Sequence, residues 1–513
     1  MSTATAPILD IGRTLDDGPF TGMQKMVVLM AALAIVLDGF DGQFIGFAIP
    51  LIIKEWGASK EAFGVPVAAG LIGMAVGMAV AGVVADRIGR RLVLAASVFV
   101  FGATTVAIGF TPNLLTLTVL RFIAGMGIGG ALPCSSTMTA EFTPARARTL
   151  AVSLTIVCYP LGGMLAGLFA GLILPAYGWR GLFWIGGALA VLFSLILVFT
   201  MPESPRFLAH HRDLWPQLVR LLGRMQRHTP EGTQFADAAE EHSTAPKAGF
   251  GALFEGSLAR DTLAIWAAFF MTVLALYTAF SWLPTMLANE GVPPALASQG
   301  LTAYNLGGVI GALLCAVCIN RFGSRWPMAL AAIGAAASAF AMVSVNVAAN
   351  PGLLIFGFGV HGLFVNSVQV PLYALCAHVY ETEVRATGTA AGLAVGRGGG
   401  VISSFLGAAV ITAAGANGYL SLLGASMAAA AIALLVVRKH IPPVAKGAEP
   451  RAAAVDTVIT VKWNFIGLSR AGMKACWRSG SAVKPARYRA PLRAAGLDPA
   501  TGLQPRTCMR STP

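Results

Sequence analysis

The chain has 513 residues, of which 56% are hydrophobic and 12% are charged, and its mean hydropathy is +0.72. Soluble globular domains carry roughly 25% charged residues, so this composition predicts a polytopic membrane protein and excludes an ordinary soluble enzyme. The formal net charge of +13 does not indicate nucleic-acid binding, because residues 441–513 alone hold 12 basic and 3 acidic residues and supply +9 of it.

A helix needs about 20 mostly apolar residues to cross the hydrocarbon core of a bilayer. By that rule the sequence predicts twelve spans, near 23–53, 62–85, 92–111, 114–140, 149–175, 181–201, 261–288, 297–319, 327–347, 352–378, 386–413 and 417–438. These spans divide the chain into an N-terminal segment (1–22), a first six-helix bundle (23–201), a central linker (202–260), a second six-helix bundle (261–438) and a basic, disordered tail (439–513).

Basic residues mark alternate loops of this plan. They follow the second, fourth, eighth and tenth spans: Arg87, Arg90 and Arg91; Arg146 and Arg148; Arg321 and Arg325; and Arg385. The loops on the opposite side are short and nearly uncharged, or their charges balance. Because positively charged loops stay in the cytoplasm, we predict an inner-membrane protein whose two termini, linker and tail are all cytoplasmic.

An internal repeat supports the division into two bundles. Six residues around the second span recur around the eighth at a constant offset of 234: Gly73, Gly77, Asp86, Arg87, Gly89 and Arg91 match Gly307, Gly311, Asn320, Arg321, Gly323 and Arg325. Arg148 and Arg385 correspond at an offset of 237. Parallel repeats of six spans are a transporter architecture, with the substrate site between the halves near the midplane. The sequence therefore predicts an all-α protein built of two pseudo-symmetric bundles.

The first span contains two carboxylates in the run Asp38-Gly39-Phe40-Asp41. A charged side chain at the bilayer centre costs at least about 2.5 kcal/mol, so such residues usually face a polar interior or cavity. Their i, i+3 spacing puts both on one helix face, where burial and mutual repulsion favour proton binding by at least one of them. We predict that Asp38 and Asp41 couple transport to protons. The alternative is a helix cap at a break near Gly39.

The fourth span contains an arginine, Arg121, just before a run of glycines. A rise of 1.5 Å per residue places Arg121 about 12 Å, and Asp41 about 18 Å, below the outer ends of their spans. A long arginine side chain can bridge that difference and keep Asp41 ionised until an anionic substrate competes for the arginine. Arg121 is therefore a candidate substrate-binding residue, and a structural counter-ion is the alternative.

The eleventh span contains Gly396-Arg397-Gly398-Gly399-Gly400, which places Arg397 near the midplane. The planar guanidinium matches a carboxylate, and the glycines let a ligand or a backbone approach. We predict that Arg397 binds the substrate; the alternative is an interhelical counter-ion to an aspartate of the first span. Tyr277 and Phe280 of the seventh span are candidates to stack on an aromatic ring, although helix packing uses the same residues.

The loop after the second span reads Gly82-Val83-Val84-Ala85-Asp86-Arg87-Ile88-Gly89-Arg90-Arg91 and resembles the signature of the major facilitator superfamily. Glu141-x-x-Pro144-x-x-x-Arg148 resembles the cytoplasmic cluster of that superfamily. The resemblance implies a cytoplasmic gate of charge contacts that form in one conformation and break in another, made by Asp86, Arg87, Gly89, Arg90, Arg91, Glu141, Arg148, Arg321 and Arg385. Asn320 and Ser324 replace Asp86 and Arg90 in the second copy, so we expect different pairing there.

Four motifs together resemble the aromatic acid:proton symporter family over roughly residues 20–440: Asp38-Gly39-Phe40-Asp41, Trp282-Leu283-Pro284-Thr285, Arg385-Ala386-Thr387-Gly388 and Gly396-Arg397-Gly398-Gly399. The resemblance implies that Asp38, Asp41, Arg121 and Arg397 are needed for transport of aromatic carboxylates such as hydroxybenzoates. The run Val401-Ile402-Ser403-Ser404-Phe405 lacks the proline and paired glycines of relatives, which leaves the shape of the cavity there open.

The sequence thus predicts a proton-coupled importer of an aromatic acid that works by alternating access as a monomer in the lipid bilayer. We predict no cofactor, no metal and no nucleic-acid partner. No phosphate-binding loop of the Gly-x-x-x-x-Gly-Lys-Ser/Thr type is present, which argues against an ATP-driven pump. The alternatives are a proton antiporter that exports aromatic or drug-like compounds and a non-transporting chemoreceptor for aromatic acids. A membrane enzyme is disfavoured, because no nucleophile-base set stands out.

Overall fold

The computed structural model describes residues 8–227, 229–230, 233–236, 250–256, 258–345, 350–381 and 384–443, all of which belong to one compact unit, Met1–Glu449. We number the elements in chain order: β1 Ile8–Asp10, α1 Ile11–Asp16, α2 Gly22–Gly42, α3 Phe44–Trp56, α4 Gly64–Ile88, α5 Arg90–Ile108, α6 Leu114–Phe142, α7 Ala145–Thr200, α8 Pro205–His210, α9 Trp215–Arg224, β2 Gln234–Ala236, α10 Leu258–Asn289, α11 Pro294–Phe322, α12 Arg325–Val343, α13 Pro351–Val379 and α14 Arg385–Val436. The predicted tail beyond residue 443 lies outside the described residues.

Ten helical segments among the described residues are long and apolar enough to cross a membrane, with α2 and α3 counted as one. Two of them are too long to cross once: α7 has 56 residues, or about 84 Å, against a hydrocarbon core of about 30 Å. Gly178 interrupts α7 with φ 62° and Gly415 interrupts α14 with φ 57°, a region that favours glycine. Division at these two glycines splits each long helix into two segments, each of a length that can cross a membrane once.

The first span is broken at Gln43, between α2 and α3, rather than near Gly39. α2 begins with a capping box, in which Thr21 accepts from the amide of Gln24 while the Gln24 side chain accepts from the amide of Thr21. The Gln24 side-chain amide also donates to the Phe142 carbonyl, at 3.0 Å. The start of the first span is therefore fixed to the end of α6.

The turns between helices fall at two ends of the bundle. We call one the basic end; it holds the turns at Gly89, Pro144, Met201, Gly323 and Tyr380, next to the predicted basic loops. The other is the distal end, with the turns at Gly57, Gly109, Gly178, Gly291 and Gly415. Contacts agree with this grouping: Arg90 pairs with Glu141 at the basic end, and Arg180 pairs with Glu55 at the distal end.

The internal repeat appears as two equivalent helix crossings, α4 with α6 in the N-terminal half (to Thr200) and α11 with α13 in the C-terminal half (from Leu258). A Cβ at Gly77 would lie 2.0 Å from the Met126 carbonyl oxygen, and one at Gly311 would lie 1.9 Å from that of Leu363. Such distances exclude any side chain, so small residues let the two backbones touch. The offsets of 234 and 237 seen in the sequence are thus matched by paired contacts.

The N-terminal segment and the linker, both predicted only as polar connections, contain ordered elements. β1 and β2 form a parallel pair in the register Ile8 with Gln234 and Asp10 with Ala236. α1 and α9 bury apolar side chains, among them Ile11, Leu15, Leu218, Leu221 and Leu222. Asp16, just at the end of α1, forms an ion pair with Arg148 of α7. These elements therefore cap the N-terminal half at its basic end.

Candidate functional site

A cavity of about 310 Å³ lies between the two halves. Side chains of both halves line it, from α2, α4, α6 and α7 on one side and from α10, α13 and α14 on the other. Most of the lining is apolar, with Met74, Ile128, Phe269, Val273 and Phe280 among it. The lining reaches from the middle of the helices toward the basic end, where Ser136, Ile156 and Tyr373 border the space. An apolar cavity of this size suits a small organic ligand.

Arg397 of α14 places its guanidinium in this cavity. Its Nη1 donates to the Tyr277 hydroxyl at 2.8 Å and lies 2.7 Å from the Met74 sulfur. A Cβ at Gly399 would lie 2.3 Å from the Phe270 carbonyl oxygen, so glycine lets α14 pack closely on α10. Within the described residues, no carboxylate lies within 4 Å of Arg397, and the counter-ion alternative is not realised as a direct ion pair. A half-buried guanidinium with donors to spare has the chemistry to bind a carboxylate.

Asp38 of α2 faces the same cavity from the N-terminal half. Its side chain is only 2% exposed, and its Oδ1 has no hydrogen-bond partner in the described part of the chain. The charges of Arg397 and Asp41 both act on it electrostatically. Asp38 is therefore a buried ionisable group on the cavity wall, opposite the arginine.

Asp41 and Arg121 are near one another but form no ion pair within 4 Å. Asp41 is 2% and Arg121 is 6% exposed. Neither Asp41 oxygen, nor Arg121 Nε or Nη1, makes a hydrogen bond of good geometry to the described residues, although Arg121 acts on Asp41 electrostatically. Gly70 of α4 leaves the space for this arginine, since a Cβ there would lie 3.2 Å from Nη2. Buried charges so poorly paired are rare and mark functional sites.

Arg121 does not line the larger cavity, where Arg397 lies. It borders an adjoining space of about 20 Å³ nearer the distal end. Tyr159, Tyr277 and Phe280 line both spaces and form the wall between them. The Phe280 ring centroid lies 5.9 Å from that of Tyr277 and 6.3 Å from that of Tyr159. The structure thus separates the two candidate substrate-binding arginines by an aromatic partition, and it places Tyr277 and Phe280 in that partition.

Sequence reasoning missed four polar residues of the cavity wall: Ser136, Tyr159, Asn366 and Gln369. Asn366 and Gln369 lie on α13 and are 4% and 6% exposed. The signal that could have found them is the presence of two uncharged amides, three residues apart, in an otherwise apolar span. Trp282, part of the family resemblance, is instead fully buried against Gly407 and away from the cavity.

The halves are joined at and near the distal end. Gln43 Nε2 donates to Asn305 Oδ1 at 3.1 Å, and Asn305 Nδ2 donates back to Gln43 Oε1 at 2.8 Å. Lys60 donates to Asn289 Oδ1 at 2.6 Å, and Thr412 donates to the Glu61 carboxylate. The Gln43–Asn305 pair, which we call the amide latch, is fully buried at the break between α2 and α3. These contacts close the distal side of the cavity.

Charge contacts at the basic end lie within the N-terminal half and join its loop to the linker. Arg90 pairs with the buried Glu141, which also accepts from the Ser204 hydroxyl. Glu203 accepts from the backbone amides of Arg90 at 2.8 Å and Arg91 at 3.1 Å, and so caps the N-terminus of α5 with a negative charge. Asp86, central to the sequence prediction, is 73% exposed and only 3.6 Å from Arg90.

The other predicted gate residues have local partners. Three of them donate to backbone carbonyls: Arg91 to Val198, Arg148 to Ala140 at 2.8 Å, and Arg385 to Tyr380 at 3.2 Å. Arg321 lies against the Phe322 ring. Arg87 is exposed. In the second copy, Ser324 donates its amide to the Ile441 carbonyl and accepts from the Ile441 amide through Oγ, both at 2.9 Å. The second turn is thus paired differently, with a backbone segment.

The family model of the Major Facilitator Superfamily matches residues 31–298 and 265–492. The chain belongs to the major facilitator superfamily. It is 33% identical over 435 residues to the 4-hydroxybenzoate transporter PcaK of Acinetobacter baylyi, with 83% of this chain and 94% of that protein covered. It is 33% identical over 432 residues to the gallate transporter of Pseudomonas putida, with 84% and 95% covered.

These relatives confirm the predicted family, since they are named as transporters of aromatic acids within a superfamily of multi-pass membrane proteins. They are named as transporters and not as enzymes, as predicted. Among solved structures, the inward open conformation of the xylose transporter XylE from E. coli matches with a TM-score of 0.65 at 19% identity, covering 85% of this chain and 99% of that one. That likeness confirms the predicted major facilitator fold.

Proposed function

We propose that the protein imports an aromatic carboxylate together with protons across the inner membrane. The observation that carries the proposal is the half-buried Arg397 guanidinium, which faces an apolar, aromatic-lined cavity between the halves and has no carboxylate of the described residues within 4 Å. An anionic ligand would supply the missing charge, and Tyr277 and Phe280 would contact its ring. Two relatives named for 4-hydroxybenzoate and gallate support this ligand class.

Proton coupling is assigned to Asp38 and Asp41. A monoanion that enters with one proton crosses without net charge, so the pH gradient would drive uptake. Asp38 lies across the cavity from Arg397, while Asp41 lies behind the aromatic partition beside Arg121. A proton on Asp41 would remove the charge that acts on Arg121, and a carboxylate on Arg397 would compensate the charge that acts on Asp38. Each binding event therefore changes the charge balance of the other site.

Alternating access would open and close the two ends in turn. In the arrangement described here the amide latch and its neighbours hold the distal side together, while the cavity lining extends toward the basic end. We assign the basic end to the cytoplasm by the positive-inside rule, which places both termini there. Two neutral hydrogen bonds contribute about 0.5–1.5 kcal/mol each, which a proton and a ligand with different affinities for the two states can offset. The basic-end cluster of Arg90, Glu141 and Glu203 would rearrange when that side closes.

The test is uptake of a radiolabelled panel of aromatic acids by cells that express the protein, with the proton gradient intact or collapsed by an uncoupler. We expect gradient-dependent accumulation that Asp41→Asn abolishes. Arg397→Lys should lower uptake at least tenfold, because an ammonium cannot replace the planar fork. Arg325→Lys, at an exposed arginine of the basic end, is the matched control and should leave uptake unchanged.

Other outcomes would redirect the assignment. Faster efflux from preloaded cells, without uptake, would identify a proton antiporter that exports its substrate. Binding of an aromatic acid by the purified protein without flux in either direction would identify a receptor. Uptake that survives the uncoupler, and that Asp41→Asn leaves intact, would exclude proton coupling by this aspartate.

A further inference from the structure

We propose that Asn366 and Gln369 form a subsite that hydrogen-bonds a hydroxyl group on the substrate ring, and that this subsite sets the preference for hydroxylated over unsubstituted aromatic acids. The inference rests on the proposed function, since it needs an aromatic acid whose carboxylate is held by Arg397. It adds the groups that would hydrogen-bond the hydroxyl end of the substrate.

The first observation is a pair of unused acceptors on one helix face. Asn366 Nδ2 donates to the Gly362 carbonyl at 3.1 Å, and its Oδ1 accepts no hydrogen bond from the described residues. Gln369 Nε2 makes only a long contact of 3.4 Å with the Tyr373 hydroxyl, and its buried Oε1 has no partner in the described part of the chain. Both residues are more than nine-tenths buried, and both line the cavity.

Unpartnered buried amides are costly and therefore uncommon, so they indicate a ligand that completes their hydrogen bonds. An i, i+3 spacing brings the two side chains side by side on α13. The wall around them is apolar, with Val370, Leu393 and Phe269. In an apolar cavity, a small number of polar groups fixes the orientation of a ligand.

The chemistry of the ligand follows from these donors and acceptors. An ionised carboxylate has no proton to donate, so it does not satisfy a carbonyl oxygen, whereas a phenolic hydroxyl both donates and accepts. A carboxylate would take the free donors of the Arg397 guanidinium. A hydroxyl at the α13 amides would donate its one proton to one of the two amide oxygens and could accept from Gln369 Nε2. Tyr277 and Phe280 would then contact the ring between the carboxylate and the hydroxyl.

A site built to hydrogen-bond a substrate hydroxyl rejects the analogue that lacks it much more strongly than an apolar pocket would. We therefore expect the wild type to favour 4-hydroxybenzoate or one of its ring isomers over benzoate. Asn366→Leu and Gln369→Leu should each lower this preference at least tenfold, mainly through slower uptake of the hydroxylated acid. Benzoate uptake should stay within about twofold, because a leucine removes the unpaired amide and keeps the volume.

The experiment measures kcat/KM for uptake of radiolabelled 2-, 3- and 4-hydroxybenzoate and benzoate, normalised to the amount of protein in the membrane. Ser367→Ala is the matched control, because Ser367 is the next residue on α13 but donates to the Gly311 and Leu363 carbonyls and does not line the cavity. Its preference should equal that of the wild type. Asn366→Ser, which keeps a hydrogen-bonding group in a smaller side chain, guards against a leucine variant that fails to fold; it should keep part of the preference.

Three results would overturn the proposal. The first is an unchanged preference in both leucine variants, and the second is an equal loss of hydroxybenzoate and benzoate uptake, which would mean that the amides only support the helix. In both cases wild-type uptake shows that the proposed function stands. The third is a wild type that takes up none of these acids, in which case the proposed function and the subsite fail together.

Discussion

The two halves of the protein share a framework of close, glycine-mediated helix crossings and differ in the side chains that lie beside those crossings. Gly125 of α6 lies against the Gly70 carbonyl of α4, and Gly362 of α13 lies against the Tyr304 carbonyl of α11 in the same way. One turn away, the N-terminal crossing holds Arg121 and the equivalent position of the C-terminal crossing holds Phe358, 237 residues on. The comparison shows that close backbone contact sets the architecture, while single side chains set the chemistry.

The difference between Arg121 and Phe358 has a spatial reason in each half. In the N-terminal half, Gly70 leaves an open space that the guanidinium of Arg121 enters. In the C-terminal half, a tyrosine at the matching position fills it: Tyr304 is fully buried and packs against Phe280 and His361, at centroid distances of 5.8 and 6.0 Å. Within the proposed function, the N-terminal half binds the proton and the C-terminal half binds the ligand.

The largest effects should come from the shared framework and should be the same in both halves. Gly77→Leu and Gly311→Leu each force a side chain into a neighbouring backbone carbonyl about 2 Å away. Overpacking costs 1–3 kcal/mol where side chains yield, and more where the obstacle is backbone. We expect both variants to lose folded, monodisperse protein in detergent, as measured by size-exclusion chromatography and thermal unfolding.

Gly82→Leu, on the same helix as Gly77, is the control, since nothing lies within 4 Å of its Cβ position. It should shift the unfolding midpoint by no more than a few degrees. If Gly311→Leu were tolerated while Gly77→Leu were not, the two crossings would differ in the framework itself and the comparison would fail.

The second largest effect should come from substitution of Arg121 and should be absent at the equivalent Phe358. Arg121→Leu leaves Asp41 buried without its positive neighbour, which destabilises the folded protein unless the carboxylate binds a proton. We expect the variant to fold with Asp41 protonated and to lose gradient-driven accumulation at least tenfold. Phe358→Leu, at the equivalent position, should cost less than about 1.5 kcal/mol and keep accumulation.

Exchange of labelled for unlabelled substrate across proteoliposomes separates a coupling role of Arg121 from a general one, because exchange needs no net movement of protons. Arg121→Leu should retain exchange while it loses accumulation. Loss of both activities by similar factors would show instead that Arg121 contributes to ligand binding, as the sequence suggested.

The sequence predicts the features that depend on local pattern. Span positions, the repeat, the depth of Arg397 and the buried position of Asp38 and Asp41 follow from hydropathy, offset and helical rise. The amide latch could not be found in this way, because Gln43 and Asn305 are 262 residues apart and meet only through the packing of two halves. The aromatic partition between Arg121 and Arg397 is formed by two helices together, α7 and α10, so no single span encodes it.

The sequence predicts only part of the contacts at the basic-end turns, for a similar reason. The motif indicates that Gly89 and the arginines act together, but Asp86 is exposed and the carboxylates that hold the turn are Glu141 and Glu203. Glu203 lies more than a hundred residues from its partners, in the segment after α7. Charge content alone does not tell which of several acidic residues reaches the end of α5.

The smallest of the predicted effects concerns these two turns, which have the same backbone conformation and different neighbours. Gly89 has φ 99° and ψ 150°, and Gly323 has φ 76° and ψ 174°, a region that only glycine adopts readily. A Cβ at Gly89 would lie 2.4 Å from the Glu203 carboxylate, and one at Gly323 would lie 2.9 Å from the Ile441 carbonyl oxygen. Gly89→Ala and Gly323→Ala should each lower stability by about 1–3 kcal/mol through backbone strain.

The stability losses of Gly89→Ala and Gly323→Ala can be separated, because different groups lie beside the two glycines. At Gly89 the obstacle is a side chain, so Glu203→Ala should relieve part of the Gly89→Ala penalty and leave that of Gly323→Ala unchanged. A coupling energy of at least about 0.5 kcal/mol between Gly89 and Glu203, from unfolding midpoints of the four variants, would measure this relief. Gly178→Ala is the reference for strain alone, because Gly178 has φ 62° and ψ −169°, in the same region as Gly323, and nothing within 4 Å of its Cβ position. Additive penalties at Gly89 and Glu203 would mean that the carboxylate moves aside at no cost, and that the two turns differ only in sequence.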